Sequence, residues 1–124
     1  MLKRKFWGIM LIPRKISYRS YKTSIGEYKL YELMRFNIKR KRTLKIASLM
    51  IAPEKVVERQ ADPRNEHIYY VVDGMGRIEF LNSDEKPFHI EPYSLVYIPY
   101  AIKHRIVNEG LSLLHLLDII LTEF

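Results

Sequence analysis

The chain of 124 residues contains no cysteine. Disulfides and thiolate metal sites are therefore excluded, and a reducing, cytoplasmic setting is expected. Long apolar runs are missing too. The run at residues 6–12 is far shorter than a bilayer span requires, so no membrane segment is expected. Pro13, Arg14 and Lys15 follow it without a small-residue cleavage site, so it reads as mature protein rather than a secretory leader. Acid is scarce in one half only. Residues 1–60 hold four Asp or Glu against sixteen Lys or Arg, a net +12, whereas residues 61–124 carry a net −5, leaving +7 overall. No glycine-rich phosphate loop, G-x-S-x-G elbow or H-E-x-x-H helix is present, so nucleotide-dependent and hydrolytic readings lack support.

What the chain does have is short alternating segments, 48% hydrophobic residues overall, and enough length for one domain with a core. Strands are expected at residues 6–12, 25–38, 44–52, 67–73, 77–81, 87–91, 95–99, 104–108 and 111–121, with an exposed basic turn at Lys39-Arg40-Lys41-Arg42. In the third, Leu44, Ile46, Ser48 and Met50 share one face, and Ala47, Leu49 and Ile51 the other. Pro53 ends it, because proline cannot donate to a central ladder. In the fourth, His67, Tyr69 and Val71 oppose Ile68, Tyr70 and Val72. Both faces are apolar, which predicts burial on both sides. Gly74-Met75-Gly76, Asn82-Ser83-Asp84, Glu91-Pro92 and Asn108-Glu109-Gly110 supply turns. Strands punctuated this regularly predict an all-β sandwich or barrel.

Two stretches add a pattern to this frame. Tyr93, Pro99, Ala101, His104 and Asn108 carry the spacing G-x5-P-x-G-x2-H-x3-N with both glycines replaced. Gln60, Asp62, His67 and Gly74 fall at the H, H, E and final G of G-x5-H-x-H-x(3,4)-E-x6-G. These resemble the two motifs of the cupin superfamily, over residues 44–121. The resemblance implies a cupin-like double-stranded β-helix, or jelly-roll barrel, with residues 44–124 as its core. Residues 1–43 would be a basic N-terminal arm with the first strands, within one domain.

The resemblance also implies a small molecule bound in the barrel mouth. Asp62, His67 and His104 take the metal-ligand positions, with Gln60 as a weak fourth. Two imidazoles and a carboxylate suit iron, manganese, nickel or zinc, and dioxygenase- or isomerase-like chemistry would follow. Without metal there is no other cofactor to expect. Tyr69, Phe80, Tyr97 and His115 are candidates to line the mouth, the plainer alternative being that rings fill the barrel. His89 has no sequence partner that argues for a role. Cupins often pair barrel to barrel, so the apolar N-terminal arm points to a homodimer. The alternative of another class is a regulatory or nucleic-acid-associated protein using the basic half, against which stands the simpler reading of a solvated basic surface.

Overall fold

The computed structural model describes residues 28–39 and 41–123, which form strands, turns and loops. The strand expected at residues 6–12 lies outside them, as does Arg40 of the basic run. Among the described residues no helix is long and apolar enough to cross a membrane.

Nine strands follow in order: β1 (Tyr28–Lys39), β2 (Arg42–Ile51), β3 (Val56–Arg59), β4 (Asn65–Asp73), β5 (Gly76–Phe80), β6 (Phe88–Ile90), β7 (Leu95–Ile98), β8 (His104–Asn108) and β9 (Leu114–Glu123). They build two antiparallel sheets, β1-β2-β9-β4-β7 and β3-β8-β5-β6. Chain neighbours such as β3 and β4 thus lie in different sheets, as in a jelly roll. The expected all-β double-stranded barrel is the fold observed.

Alternation places the core between the sheets. Leu49 and Ile51 of β2, Tyr69 and Val71 of β4, and Leu114 and Leu116 of β9 are fully buried from one sheet; Val57, Ile78 and Ile106 meet them from the other. The outer face of the larger sheet is only half covered. Ile68 and Tyr70 are partly buried, and Val72, Leu95 and Tyr97 are exposed. Burial of β4 on both faces, as the sequence predicted, is therefore complete only at Tyr69 and Val71 of the inner face.

Strand β3 was not foreseen. It has four residues, and only Val57 of them is fully buried. Its formation depends on pairing with β8, which sets Val57 opposite Ile106 and Arg59 opposite His104. The last strand begins three residues later than the apolar run suggested, at Leu114, and extends to Glu123.

The motif residues shape the ends of the barrel. Asn108 is buried and closes one end: its Nδ2 donates to the Ile51 and Ser112 carbonyls, both at 2.9 Å, and its Oδ1 accepts from Gly110 N at 2.8 Å. The two replaced glycines keep a backbone conformation that glycine adopts most easily. Tyr93 has φ 75° and Ala101 φ 61°.

Candidate functional site

At the end of the barrel opposite Asn108, polar side chains from four strands meet between the sheets. The register explains why. In the larger sheet, Asp118 on β9 lies opposite Ala47 on β2 and Tyr69 on β4, with His67 one step along β4. In the smaller sheet, Arg59, His104 and Phe80 form one row across β3, β8 and β5. Each of these residues has the parity of its strand's core residues and so points inward.

Two polar pairs bridge the sheets. Arg59 donates to Asp118 Oδ2 in a buried ion pair, and Tyr69 OH lies 2.8 Å from His104 Nε2. Asp118 and Tyr69 are 0% exposed and His104 1%, so each needs its partner: an unpaired buried polar group costs about 1–3 kcal/mol, more if charged. Arg59 and His67 reach the edge of the cluster, with side chains 14% and 12% exposed.

Hydrogen-bond logic fixes both imidazoles. His104 Nδ1 lies 3.1 Å from the Ile102 carbonyl, which can only accept, so Nδ1 carries the proton and Nε2 receives the Tyr69 hydroxyl. Burial lowers the His104 pKa to about 4, and the Ile102 bond opposes this only in part. The ring is therefore neutral at physiological pH. Burial also raises the Tyr69 pKa, so the phenol keeps its proton and serves as the donor. His67 Nδ1 is 2.8 Å from Asp118 Oδ1, again an acceptor, so Nδ1 donates. Its Nε2 has no hydrogen-bond partner among the described residues, and the carboxylate holds that lone pair in place. The three rings pack together, His67 stacked on Tyr69 at 5.5 Å and edge-on to His104 at 5.9 Å. Phe80, opposite His104, meets the half-exposed Phe88 edge-on at 5.1 Å. The site thus combines a fixed polar floor with an aromatic side.

The sequence matches no protein-family model and no curated protein. Solved structures do match. A predicted oxalate decarboxylase from Thermotoga maritima superposes with a TM-score of 0.65 over 90% of this chain and 99% of its own, at 17% identity. The polyketide cyclase RemF from Streptomyces resistomycificus gives 0.70 over 90% and 85%, at 12% identity. A double-stranded β-helix protein from Klebsiella pneumoniae gives 0.65 over 82% and 83%, at 13% identity. The fold is the double-stranded β-helix barrel.

Within that barrel, the structure brings together four of the eight residues singled out in the sequence. His67, His104 and Tyr69 form the cluster, and Phe80 flanks it. Asp62 instead builds the loop before β4: its Oδ1 accepts from Arg64 N and its Oδ2 from Asn65 Nδ2, both at 2.8 Å. Gln60 is exposed, and among the described residues its amide reaches only Glu58, at 3.5 Å. Tyr97 points outward because Val96 and Ile98 take the inward parity of β7, and its hydroxyl donates to Glu66. His115 also points outward, since Leu114, Leu116 and Asp118 face in; its Nε2 pairs with Ser48 Oγ at 2.6 Å.

Two central residues, Asp118 and Arg59, were missed. The available signal for Asp118 was a lone carboxylate inside the apolar run LSLLHLLDIIL. A charge in such a run marks either the solvent face or a paired interior site. Arg59 carried a weaker signal, two residues beyond Val57 in a strand too short to recognise.

A divalent metal is the cofactor that the cupin resemblance implies, and the donor set present does not fit one. Among the described residues, no group of three or more His, Asp or Glu side chains converges to hold a cation. Both Asp118 oxygens are engaged, by Arg59 and His67, and the His104 Nε2 lone pair is taken by Tyr69. A partly buried guanidinium also stands beside the one carboxylate of the cluster, and its positive charge opposes a second cation there.

Proposed function

We propose that this cupin barrel binds a small carbonyl compound at its mouth and moves a proton on it, as an isomerase or epimerase does. The observation that carries the reading is the His67–Asp118 pair: a buried carboxylate fixes the Nδ1–H tautomer and leaves Nε2 as an oriented base. In the proposed step, the Nε2 lone pair takes a proton from the carbon beside the substrate carbonyl. The C–H electron pair becomes the carbon–carbon double bond of an enolate, and the carbonyl π pair moves onto oxygen. The imidazolium so formed is stabilised by Asp118, and the Arg59 guanidinium supplies a positive field for the developing negative charge. Where the α carbon bears a hydroxyl, its proton passes to the enolate oxygen, and return of the imidazolium proton to the former carbonyl carbon gives the isomer; protonation of the same carbon from solvent on its other face gives the epimer. Tyr69 and His104 lie beneath as a positioning layer, because neither is open to a ligand. Phe80 and Phe88 offer an apolar wall to the body of the substrate.

The same proposal takes the working unit to be a homodimer, paired through the outer face of the larger sheet. Support comes from Val72, Leu95 and Tyr97, exposed apolar or aromatic side chains beside half-buried Ile68 and Tyr70, at 40%, 68% and 53% exposure.

The test is solvent exchange. The protein is incubated in D2O with a panel of small ketones, 2-oxo acids and keto sugars, and proton loss beside the carbonyl is followed by NMR. Exchange is expected for at least one compound, slowed about 100-fold or more by His67→Gln and by Asp118→Asn. Equal exchange with wild-type protein and His67→Gln across the whole panel would refute base catalysis.

A further inference from the structure

We infer that Arg59 is the resident cation of this barrel, occupying the place of a divalent metal and excluding one. The inference stands whether or not His67 acts as a base. Around Arg59 the cluster still holds the donor types of a two-histidine, one-carboxylate centre: His67 and His104, with ring centroids 5.9 Å apart, and Asp118. What differs from such a centre is the counter-ion. Asp118, 0% exposed, meets the guanidinium through Oδ2 and the His67 N–H through Oδ1. A buried carboxylate requires a positive partner, and here the partner is covalent to the chain. Arginine suits this task because it does not deprotonate in proteins and binds a carboxylate in a fixed planar geometry. The placement is also a matter of register. Arg59 lies opposite His104 on β8, at the inward parity of β3, which sets the guanidinium between the two sheets. A metal entering the cluster would have to displace Arg59 from Asp118 while remaining beside its charge.

Removing the guanidinium together with the Tyr69 hydroxyl that occupies His104 Nε2 should therefore uncover a metal site, since both imidazoles can then turn towards Asp118. Wild-type protein, Arg59→Met/Tyr69→Phe, Arg59→Lys/Tyr69→Phe and the triple variant Arg59→Met/Tyr69→Phe/Asp118→Asn are each equilibrated with Zn2+ or Ni2+ and dialysed, and metal content is measured. The inference expects Arg59→Met/Tyr69→Phe to retain about one equivalent, with the other three proteins retaining little. An Arg59→Met/Tyr69→Phe protein that is folded but binds no better than wild type would overturn it. Should that variant fail to fold, the wild-type protein still decides the question. Zn2+ titrated into protein with 15N-labelled histidines should leave the His67 and His104 ring signals unmoved. Their saturation at one equivalent would overturn the inference.

Discussion

Replacing Ala101 by glycine should stabilise this protein. The prediction follows from the backbone, since Ala101 sits at φ 61° in the turn between β7 and β8, where the cupin pattern has glycine. Holding a residue with a Cβ in the left-handed region costs roughly 1–2 kcal/mol. Glycine loses more freedom on folding, which returns about 0.4–1 kcal/mol of that gain. The net expectation is about 0.5–1 kcal/mol in favour of the variant. No contact is sacrificed: the hydrogen bonds at this position are backbone ones, from Ala101 N to Asp62 O and from Asn82 Nδ2 to Ala101 O, both at 2.9 Å. Tyr93 offers a second instance, at φ 75° with its side chain 79% exposed. For a domain of this size 1 kcal/mol moves the midpoint by about 4 °C, so each variant should melt about 2–4 °C higher. Gly74→Ala is the control of opposite sign. Its φ is 92°, and an added Cβ would lie 2.6 Å from Leu113 O, so a loss of about 1–3 kcal/mol is expected. Thermal and urea unfolding of the four proteins measure this directly. A lower midpoint for both Ala101→Gly and Tyr93→Gly would refute the strain argument.

Acid should weaken the fold through His104. Its folded-state pKa of about 4 lies below the ordinary 6.5, so stability is full above pH 6.5 and is lost as pH falls towards 4, because the unfolded chain takes up the proton first. The loss from this group is about 2 kcal/mol at pH 5, read from urea unfolding at pH 7 and 5; an unchanged midpoint would contradict the buried neutral ring. Light scattering at micromolar concentration should report twice the chain mass, and Leu95→Glu should reduce it to the monomer; an intact chain that is already monomeric would remove the proposed dimer. A DNA or RNA anisotropy titration should show at most weak, sequence-indifferent binding that disappears as salt rises; tight binding at physiological salt would favour the nucleic-acid alternative instead.

The fold was legible because turn chemistry and alternation agree along most of the chain. Pro99 marks its turn without a glycine, Asn108 marks the next together with Gly110, and β8 spans the residues expected of it, His104–Asn108. The site was less legible, and parity is the reason. In β9, apolar residues occupy both faces, so nothing in LLHLLDIIL decides whether His115 or Asp118 points inward. Pairing with β4, which sets Asp118 against Tyr69, makes that decision. Tyr97 was misplaced for the same reason. Asp62 was placed by counting along a motif, but its oxygens are used locally by the next two polar groups, a common fate of aspartate in loops. Arg59 was invisible because β3 exists only through its partner β8.

The central claim is that Asp118 holds His67 as an oriented base, and the imidazole tautomer tests it most directly. With 15N-labelled histidine at pH 9, where imidazoles are neutral, the account predicts a protonated Nδ1 and an unprotonated Nε2 for His67. Asp118→Ala should abolish that preference. A His67 ring protonated on Nε2 in the wild-type protein would contradict the account, because the base would then be turned away from any ligand.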